Sequence, residues 1–285
     1  MLNIRLIRRR IRSIQSTLKI TKAMEMIATT KMRRAQEQAL AGRPYAEKIH
    51  QVIADLAAPY QGEDAIHPLL QRRTVGRIEV IHITADRGLC GGFNSNMNRA
   101  TANFILRQTT PVSLITVGRK GRDFMLRYGY EIRAEFSGIG DRPSLVDTRP
   151  ISRIVIDDYT EGFADQVFLA YTQFITTMIQ RPRLELLVPV EPVAGEREYP
   201  VEYIYEPSLH VVLAELLPRY VEMQVYHAIL ESIASEQLAR MVAMRNASDN
   251  AEELIQEFTL MYNKARQEMI TKELLDISGG VEALA

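Results

Sequence analysis

"IRLIRRRIRSIQSTL", Ile4 to Leu18, sets apolar residues at Ile4, Ile7, Ile11, Ile14 and Leu18, spacings of 3 and 4 that run for two heptads. That period puts all five on one stripe of a helix and matches the seam of a coiled coil. The strict register next reaches Thr21 and Glu25, neither of them apolar. The apolar residues move instead to Ile20, Met24, Ile27 and Met32, so the seam is expected to shift around the helix. Ile49, Val52, Ile53 and Leu56 then resume an apolar face. Between Ile4 and Ala57 the only proline is Pro44 and the only glycine Gly42. A helix of about 55 residues is therefore expected, roughly 80 Å long at about 1.5 Å per residue.

The other end of the chain mirrors this. From Pro218, which suits the first turn of a helix, to Ile277 there is neither proline nor glycine. Leu230, Ile233, Met241, Met244, Ala251, Ile255, Phe258, Tyr262, Ala265 and Met269 keep helical spacings. Helices of compact domains average about 11 or 12 residues, and a lone amphipathic helix leaves its apolar stripe in water. The two ends are therefore expected to wind around each other as an antiparallel coiled coil. Charge supports the pairing: residues 1–60 hold 12 basic against 4 acidic residues, a net of +8, and residues 208–285 hold 6 against 12, a net of −6. Each exposed contact contributes only about 0–1 kcal/mol.

The middle of the chain has a different period. "VGRIEVIHIT" (75–84) and "VSLITVG" (112–118) read as strands, each followed by a helical segment, 94–108 and 119–128. "YEIRAEFS" (130–137), "QVFLAYTQF" (166–174) and "RLELLVPV" (183–190) read as further strands. "RPISRIVIDDYTEGFAD" suits either a short strand or a helix face. Alternation of strands and helices predicts a Rossmann-like α/β domain with a mostly parallel sheet, inserted between the two long helices. The expected division is 1–58 for the first helix, 72–205 for the α/β domain and 208–285 for the second helix.

After the first strand comes "ITADRGLCGGFN", Ile83 to Asn94, with the only cysteine of the chain among three glycines. A glycine-rich turn between strand and helix is where doubly wound folds bind phosphate. The stretch fits neither G-x-G-x-x-G nor G-x-x-x-x-G-K-[ST] and lacks the phosphate-reaching lysine. Gly91 and Gly92 are expected to supply unusual backbone torsions, and Asn94 or Ser95 to cap the following helix. Cys90 beside Leu89 reads as a small, partly buried side chain, for spacing places no Cys-His-Asn set even with His82 on the preceding strand. Asp86 and Arg87 read as a local pair or loop anchor. The five histidines, His50, His67, His82, His210 and His227, are scattered, and none forms H-E-x-x-H. No catalytic, cofactor or metal residues are assigned.

Five blocks in order, "ITKAMEMIATTKMRRAQ" (Ile20 to Gln36), "RPYAE" (Arg43 to Glu47), "DRGLCGGFN" (Asp86 to Asn94), "MVAMRNASDNA" (Met241 to Ala251) and "NKARQEMITKELLDISGG" (Asn263 to Gly280), resemble the gamma subunits of F-type ATP synthases along essentially the whole chain. The resemblance implies a rotor shaft without catalysis of its own. It also implies the partners: a hexamer of three alpha and three beta subunits around the coiled coil, and epsilon and the membrane c-ring at the α/β foot, with one copy per complex. By the same resemblance Lys22, Met24, Glu25 and Met26, with Arg266, Gln267 and Thr271 from the opposing helix, meet the catch region of the beta subunit. Arg266 is placed to pair with a beta carboxylate, although its spacing also allows a salt bridge to Glu25 or Glu268. Asp86, Arg87, Gly88, Cys90, Gly91, Gly92 and Asn94 belong to the globular foot, facing epsilon or the ring. "DISGGVEALA" falls at the shaft tip, inside an apolar sleeve.

Composition narrows the alternatives. One cysteine cannot close an internal disulfide or make the thiol switch of plant-type gamma subunits, and fits a reducing compartment. "MLNIRLIRRR" interleaves charge and apolar residues, unlike a secretory signal. No run of 18 apolar residues exists, so membrane association is expected through the c-ring, at the cytoplasmic face of a bacterial cell membrane rather than the mitochondrial inner membrane. The competing reading is a nucleic-acid- or nucleotide-binding coiled-coil regulatory module. Near-zero net charge and few aromatics around the basic run weigh against nucleic acid.

Overall fold

The computed structural model describes residues 4–57, 67–176, 179–191, 206 and 208–282. It divides into two compact units, residues 29–239 and residues 1–28 with 240–285. Two long helices, α1 (Ile4–Ala57) and α5 (Leu209–Glu282), contribute to both.

The larger unit is built on a five-stranded sheet: β1 (Ile78–Ile83), β2 (Val112–Val117), β3 (Glu131–Phe136), β4 (Gln166–Phe174) and β5 (Gln180–Val188), in the order β3-β2-β1-β4-β5. The first four strands are mutually parallel and β5 pairs antiparallel with β4. Central β1 is buried at all six positions, hence its nearly continuous apolar run. Edge strand β3 instead alternates exposed and half-buried residues. Helices α2 (Phe93–Arg107) and α3 (Arg119–Arg127) cover one face, where Met97 and Met125 pack on Val80 and Leu114.

The ambiguous stretch before β4 is helix α4 (Leu145–Thr160), which buries Ile151, Val155 and Tyr159 at intervals of four on the other face of the sheet. Its start is fixed by Ser144, whose amide and hydroxyl both donate to the Asp147 carboxylate at 2.7 Å, the capping box. Those bonds hold the Asp147 carboxyl below its ordinary range. The rest of this face is covered by Ile49, Ile53 and Leu56 of α1 and by Leu213, Leu217, Val221 and Ile229 of α5. Helix α1 passes Gly42 and Pro44 without interruption.

In the smaller unit the two helical ends run antiparallel. Arg10 stacks over Phe258, Thr21 bonds Ser248 and Glu25 pairs with Arg245, so rising numbers on α1 meet falling numbers on α5. Here the expected shift of the seam is corrected. Thr21 is only 8 % exposed and Ala28 is fully enclosed, whereas Ile20 and Ile27 are 60 % and 54 % exposed. The heptad count of Ile7, Ile11, Ile14 and Leu18 therefore continues unbroken through Thr21, Glu25 and Ala28, and the same count reaches buried Met32 and Ala35 in the larger unit. Period prevails over side-chain size because a displaced stripe turns away from its partner helix. On α5 the seam runs through Met244, Ser248, Ala251, Ile255, Phe258, Tyr262 and Ala265, with Ser248 supplying the layer between two apolar positions. Met269, expected to extend it, is exposed; the antiparallel count brings Ala265 opposite Ile4.

Candidate functional site

Two regions hold the residues singled out from sequence, and each lies within one unit. The first is the connection from β1 to α2. Thr84 leaves the strand bonded to Val117, its amide at 2.8 Å, while its hydroxyl accepts the Gly121 amide at 2.8 Å. Asp86 then clamps three segments: one carboxylate oxygen accepts the Arg119 amide at 3.0 Å and the other the Gly138 amide at 2.8 Å, with the Arg119 guanidinium 3.6 Å away. Helix α3 has Gly118 as its N-cap and no side-chain cap of its own. Asp86 supplies that negative charge from another loop, where free amides and the helix dipole favour it. It is a loop anchor, and its cationic partner is Arg119 rather than Arg87.

The rest of the connection closes on itself. Asn94 does not cap α2, and neither does Ser95: the N-cap is Gly92, with no side-chain bond. The Asn94 side chain reaches back, accepting the Ala85 amide at 3.0 Å and donating to Cys90 Sγ at 3.2 Å. Ser95 donates to the Gly92 carbonyl. Cys90 is buried against Ala85, Phe93 and Ala239, a packed side chain. Gly91 has φ +54°, but Gly92 has an ordinary φ of −81°, and the second left-handed position falls to Leu89 at φ 62°. A non-glycine residue held there costs of order 1 kcal/mol or more. Its side chain is 65 % exposed, so Arg87, Gly88 and Leu89 form a projecting tip. His82 lies on the α2 face of the sheet, bonded to Asn98 at 2.9 Å and Thr101 at 3.0 Å. Burial pushes it down to about 4, which keeps it neutral.

The second region is the outer surface of the paired ends. Lys22 bonds Glu252, which raises the lysine above its ordinary range, chiefly through that bond. Glu25 accepts from Arg245 at 2.9 Å. Both charges are thus held across the seam, beside the Thr21–Ser248 bond of 2.7 Å. Met24 is half-buried and Met26 is 69 % exposed. Arg266, Gln267 and Thr271 are exposed as well, but beyond Ala265. Along α5 they stand 14 residues past Glu252, about 20 Å at about 1.5 Å per residue. The structure therefore does not bring the two groups of candidate contacts together, and Glu25 has Arg245, not Arg266, as its partner. After Ala265, Met269, Ile270, Leu274, Leu275 and Ile277 are all exposed.

One buried acid belongs to neither region. Glu79, on central β1, is fully enclosed, and neither carboxyl oxygen has a hydrogen-bonding partner among the described residues. It faces α4, near Asp158, whose two oxygens are held by Arg133 at 3.1 Å. Burial, and then the Asp158 charge, push Glu79 up to about 8 against the opposing pull of Arg133. Arg133 and Arg77 both lie over the Phe163 ring, at 4.7 and 4.5 Å. Sequence reasoning passed over Glu79, although a glutamate inside a buried-strand pattern is itself a signal. Among the described residues no three His, Cys, Asp or Glu side chains are grouped to hold a metal ion, and no helix is long and apolar enough to cross a membrane.

Comparison with known proteins covers the whole chain. The sequence pattern of the family described as ATP synthase matches residues 3–284. An ATP synthase gamma chain of Dehalococcoides mccartyi is 62% identical over 285 residues, 100% of each chain. Among solved structures, the central stalk and c-ring of the Tetrahymena thermophila mitochondrial ATP synthase matches 80% of this chain and 99% of its own with a TM-score of 0.62 and 26% identity. The OSCP/F1/c-ring assembly of the Euglena gracilis mitochondrial ATP synthase matches 99% and 94% with a TM-score of 0.72 at 20% identity, a likeness of fold.

Proposed function

The chain belongs to the ATP synthase gamma-chain family, and from that premise we propose how its surfaces serve a central-stalk rotor. The subunit is mechanical and not catalytic by itself: it couples rotation to conformational cycling of the catalytic subunits in ATP synthesis or hydrolysis. Nothing supports the reading as a nucleic-acid- or nucleotide-binding module, which is set aside. The observation that carries the reading is the antiparallel pairing of residues 4–28 with 240–265 about one unbroken heptad seam, in a chain alike to a gamma chain from end to end.

In this reading the chain stands as one copy inside three alpha and three beta subunits. Residues 1–58 and 208–285 serve as shaft and residues 72–205 as foot, with epsilon and a proton-driven c-ring as neighbours. The complex sits peripherally at the cytoplasmic side of a bacterial cell membrane, and the mitochondrial inner membrane is the alternative location. A rotor needs faces that differ around its axis, since a uniform rod would press equally on three identical partners. Exposed Ile20, Met26 and Ile27 provide an apolar patch beside the exposed charges of α1. Lys22, Met24, Glu25 and Met26 form one contact zone for a beta subunit, and Arg266, Gln267 and Thr271 a second, further along α5. Arg266, exposed and without an ion pair among the described residues, is suited to meet a carboxylate in a charge-assisted bond. The apolar run from Met269 to Ile277 is suited to a sleeve of alpha and beta chains, and Arg87, Gly88 and Leu89 to a neighbour at the foot.

Co-expression with alpha and beta subunits tests the assignment. One copy per hexamer with restored ATPase turnover is expected; a chain that purifies alone, with turnover unrestored, contradicts it.

A further inference from the structure

The buried acid of central β1 has a polar neighbour on the next strand. Parallel register sets Glu79 of β1 beside Ser113 of β2. Further along the same strands Ile81, Ile83, Ile115 and Val117 pack in the core beneath α4, so alternation turns Glu79 and Ser113 to that face as well. Both are enclosed, at 0 % and 1 % exposure. Neither the two carboxyl oxygens of Glu79 nor the hydroxyl of Ser113 has a hydrogen-bonding partner among the described residues, so these neighbours do not bond each other. Unpaired polar atoms thus meet side by side in a core, where nearly every such group is normally bonded.

Asp158 of α4 and Arg133 of β3 close the spot. Strand β3 carries one extra residue against β2: Leu114 pairs with Ile132 and Ile115 with Ala134, which leaves Arg133 between them. Such a bulge re-aims a side chain, and the Arg133 guanidinium meets both oxygens of Asp158. Arg133 is therefore committed to Asp158, which is itself only 3 % exposed. A carboxylate has lone pairs beyond the two that Arg133 takes. Burial and the nearby Asp158 charge keep Glu79 protonated, so its carboxyl has a proton to donate. Neighbouring strands lie about 4.8 Å apart, a gap that two hydrogen bonds of about 2.8 Å span through one shared oxygen. Several polar partners around an enclosed gap are what a buried water requires. A metal ion suits the spot less, since Arg133 already supplies the positive charge beside Asp158 and no third acid, histidine or cysteine joins the two among the described residues.

We propose that Glu79, Ser113 and Asp158 form a binding site for one ordered water molecule, which carries the hydrogen bonds that these side chains do not make with one another. The Glu79 carboxyl and the Ser113 hydroxyl donate to the water oxygen, and the water donates to the Asp158 carboxylate. The water thereby ties β1 and β2 to α4, beside the Arg133–Asp158 pair that ties in β3. A crystal structure of the full chain, at a resolution that shows ordered solvent, tests this. The expected result is a single density peak within about 3.2 Å of both the Glu79 carboxyl and the Ser113 hydroxyl. Glu79→Leu with Ser113→Ala removes the polar partners and should remove the peak, because an apolar chamber of this kind stays dry. In solution, magnetic relaxation dispersion of ¹⁷O-labelled water counts long-lived internal waters, and the doubly substituted chain should hold one fewer than the unsubstituted chain. A direct Glu79–Ser113 hydrogen bond with no density between them overturns the proposal, as does a peak with the contacts of about 2.4 Å that mark a metal ion. A solution count that the double substitution leaves unchanged overturns it too. The density is read on the unsubstituted chain, so a variant that fails to fold does not remove the test.

Discussion

Gly118 sits at φ +99°, and a β-carbon on it would fall 2.2 Å from the Thr84 carbonyl oxygen, a backbone atom that cannot step aside. Gly138 has a similar φ of +74° but open space around it. Gly118→Ala is therefore expected to destabilise by about 3 kcal/mol or more and Gly138→Ala by only about 1 kcal/mol, as read from urea unfolding. Glu79 gives a pH signature. Its folded-state value of about 8 lies above the ordinary 4.5, so the folded chain holds a proton that the unfolded chain releases. The associated stability is fully present below pH 4.5 and is lost as pH rises through 8. Glu79→Gln should match the unsubstituted chain near pH 4.5 and exceed it near pH 8 by on the order of 3 kcal/mol. A gap independent of pH between those limits contradicts the assignment. Glu79 stands out in the sequence as an acid inside a buried-strand pattern, but the lack of a partner for its carboxyl was not legible there, and neither was the φ angle of Gly118, since both depend on segments distant in the chain. Asp86 as the cap of α3 was hidden for the same reason: 33 positions separate it from the Arg119 amide it accepts.

At the scale of elements the period of the sequence carried most of the information. "QVFLAYTQF" coincides with β4, and the expected helix 94–108 with α2 to within a residue at each end. The stretch before β4 stayed ambiguous because its isoleucines fit both periods. The deciding mark was polar: Ser144 and Asp147, three apart, are a helix start. In the coiled coil the reading erred by following large side chains from the heptad onto Ile20 and Ile27. Ala28 takes little space, and Thr21 meets Ser248 in a hydrogen bond, so small and polar residues hold the seam where sequence suggested it had moved. Thr21→Ala should cost about 1–2 kcal/mol by leaving the buried Ser248 hydroxyl without this partner, and Ser248→Ala about the same. The double substitution should recover most of that, since neither hydroxyl then lacks the other. A double-mutant cycle by thermal unfolding measures the coupling; additive losses contradict the pairing. Ile20→Ser and Ile27→Ser, by contrast, should stay within about 0.5 kcal/mol.

For the whole molecule, five blocks spread along the chain made the family legible, and two long helices around an α/β insert made the fold legible. The contact residues were less so. Sequence grouped Lys22, Met24, Glu25 and Met26 with Arg266, Gln267 and Thr271, and only the antiparallel register separates them, the first group on α1 facing Arg245 and Glu252 and the second further along α5. Leu274→Ser with Leu275→Ser should leave the stability of the isolated chain within about 0.5 kcal/mol, because both are exposed, yet weaken assembly with alpha and beta subunits, measured as the yield of complex. Equal yield for the unsubstituted and doubly substituted chains counts against the proposed sleeve.

The central claim is that the two helical ends turn as one body. Thr21→Cys with Ser248→Cys, in a Cys90→Ala background, places two thiols where hydroxyls now lie 2.7 Å apart, and oxidation should join them. The decisive measurement is ATP-driven rotation of a bead fixed to this chain in the assembled complex, before and after oxidation. Near-complete cross-linking with rotation and torque unchanged is the predicted result. Failure of the thiols to join, or rotation that stops once they do, contradicts the account.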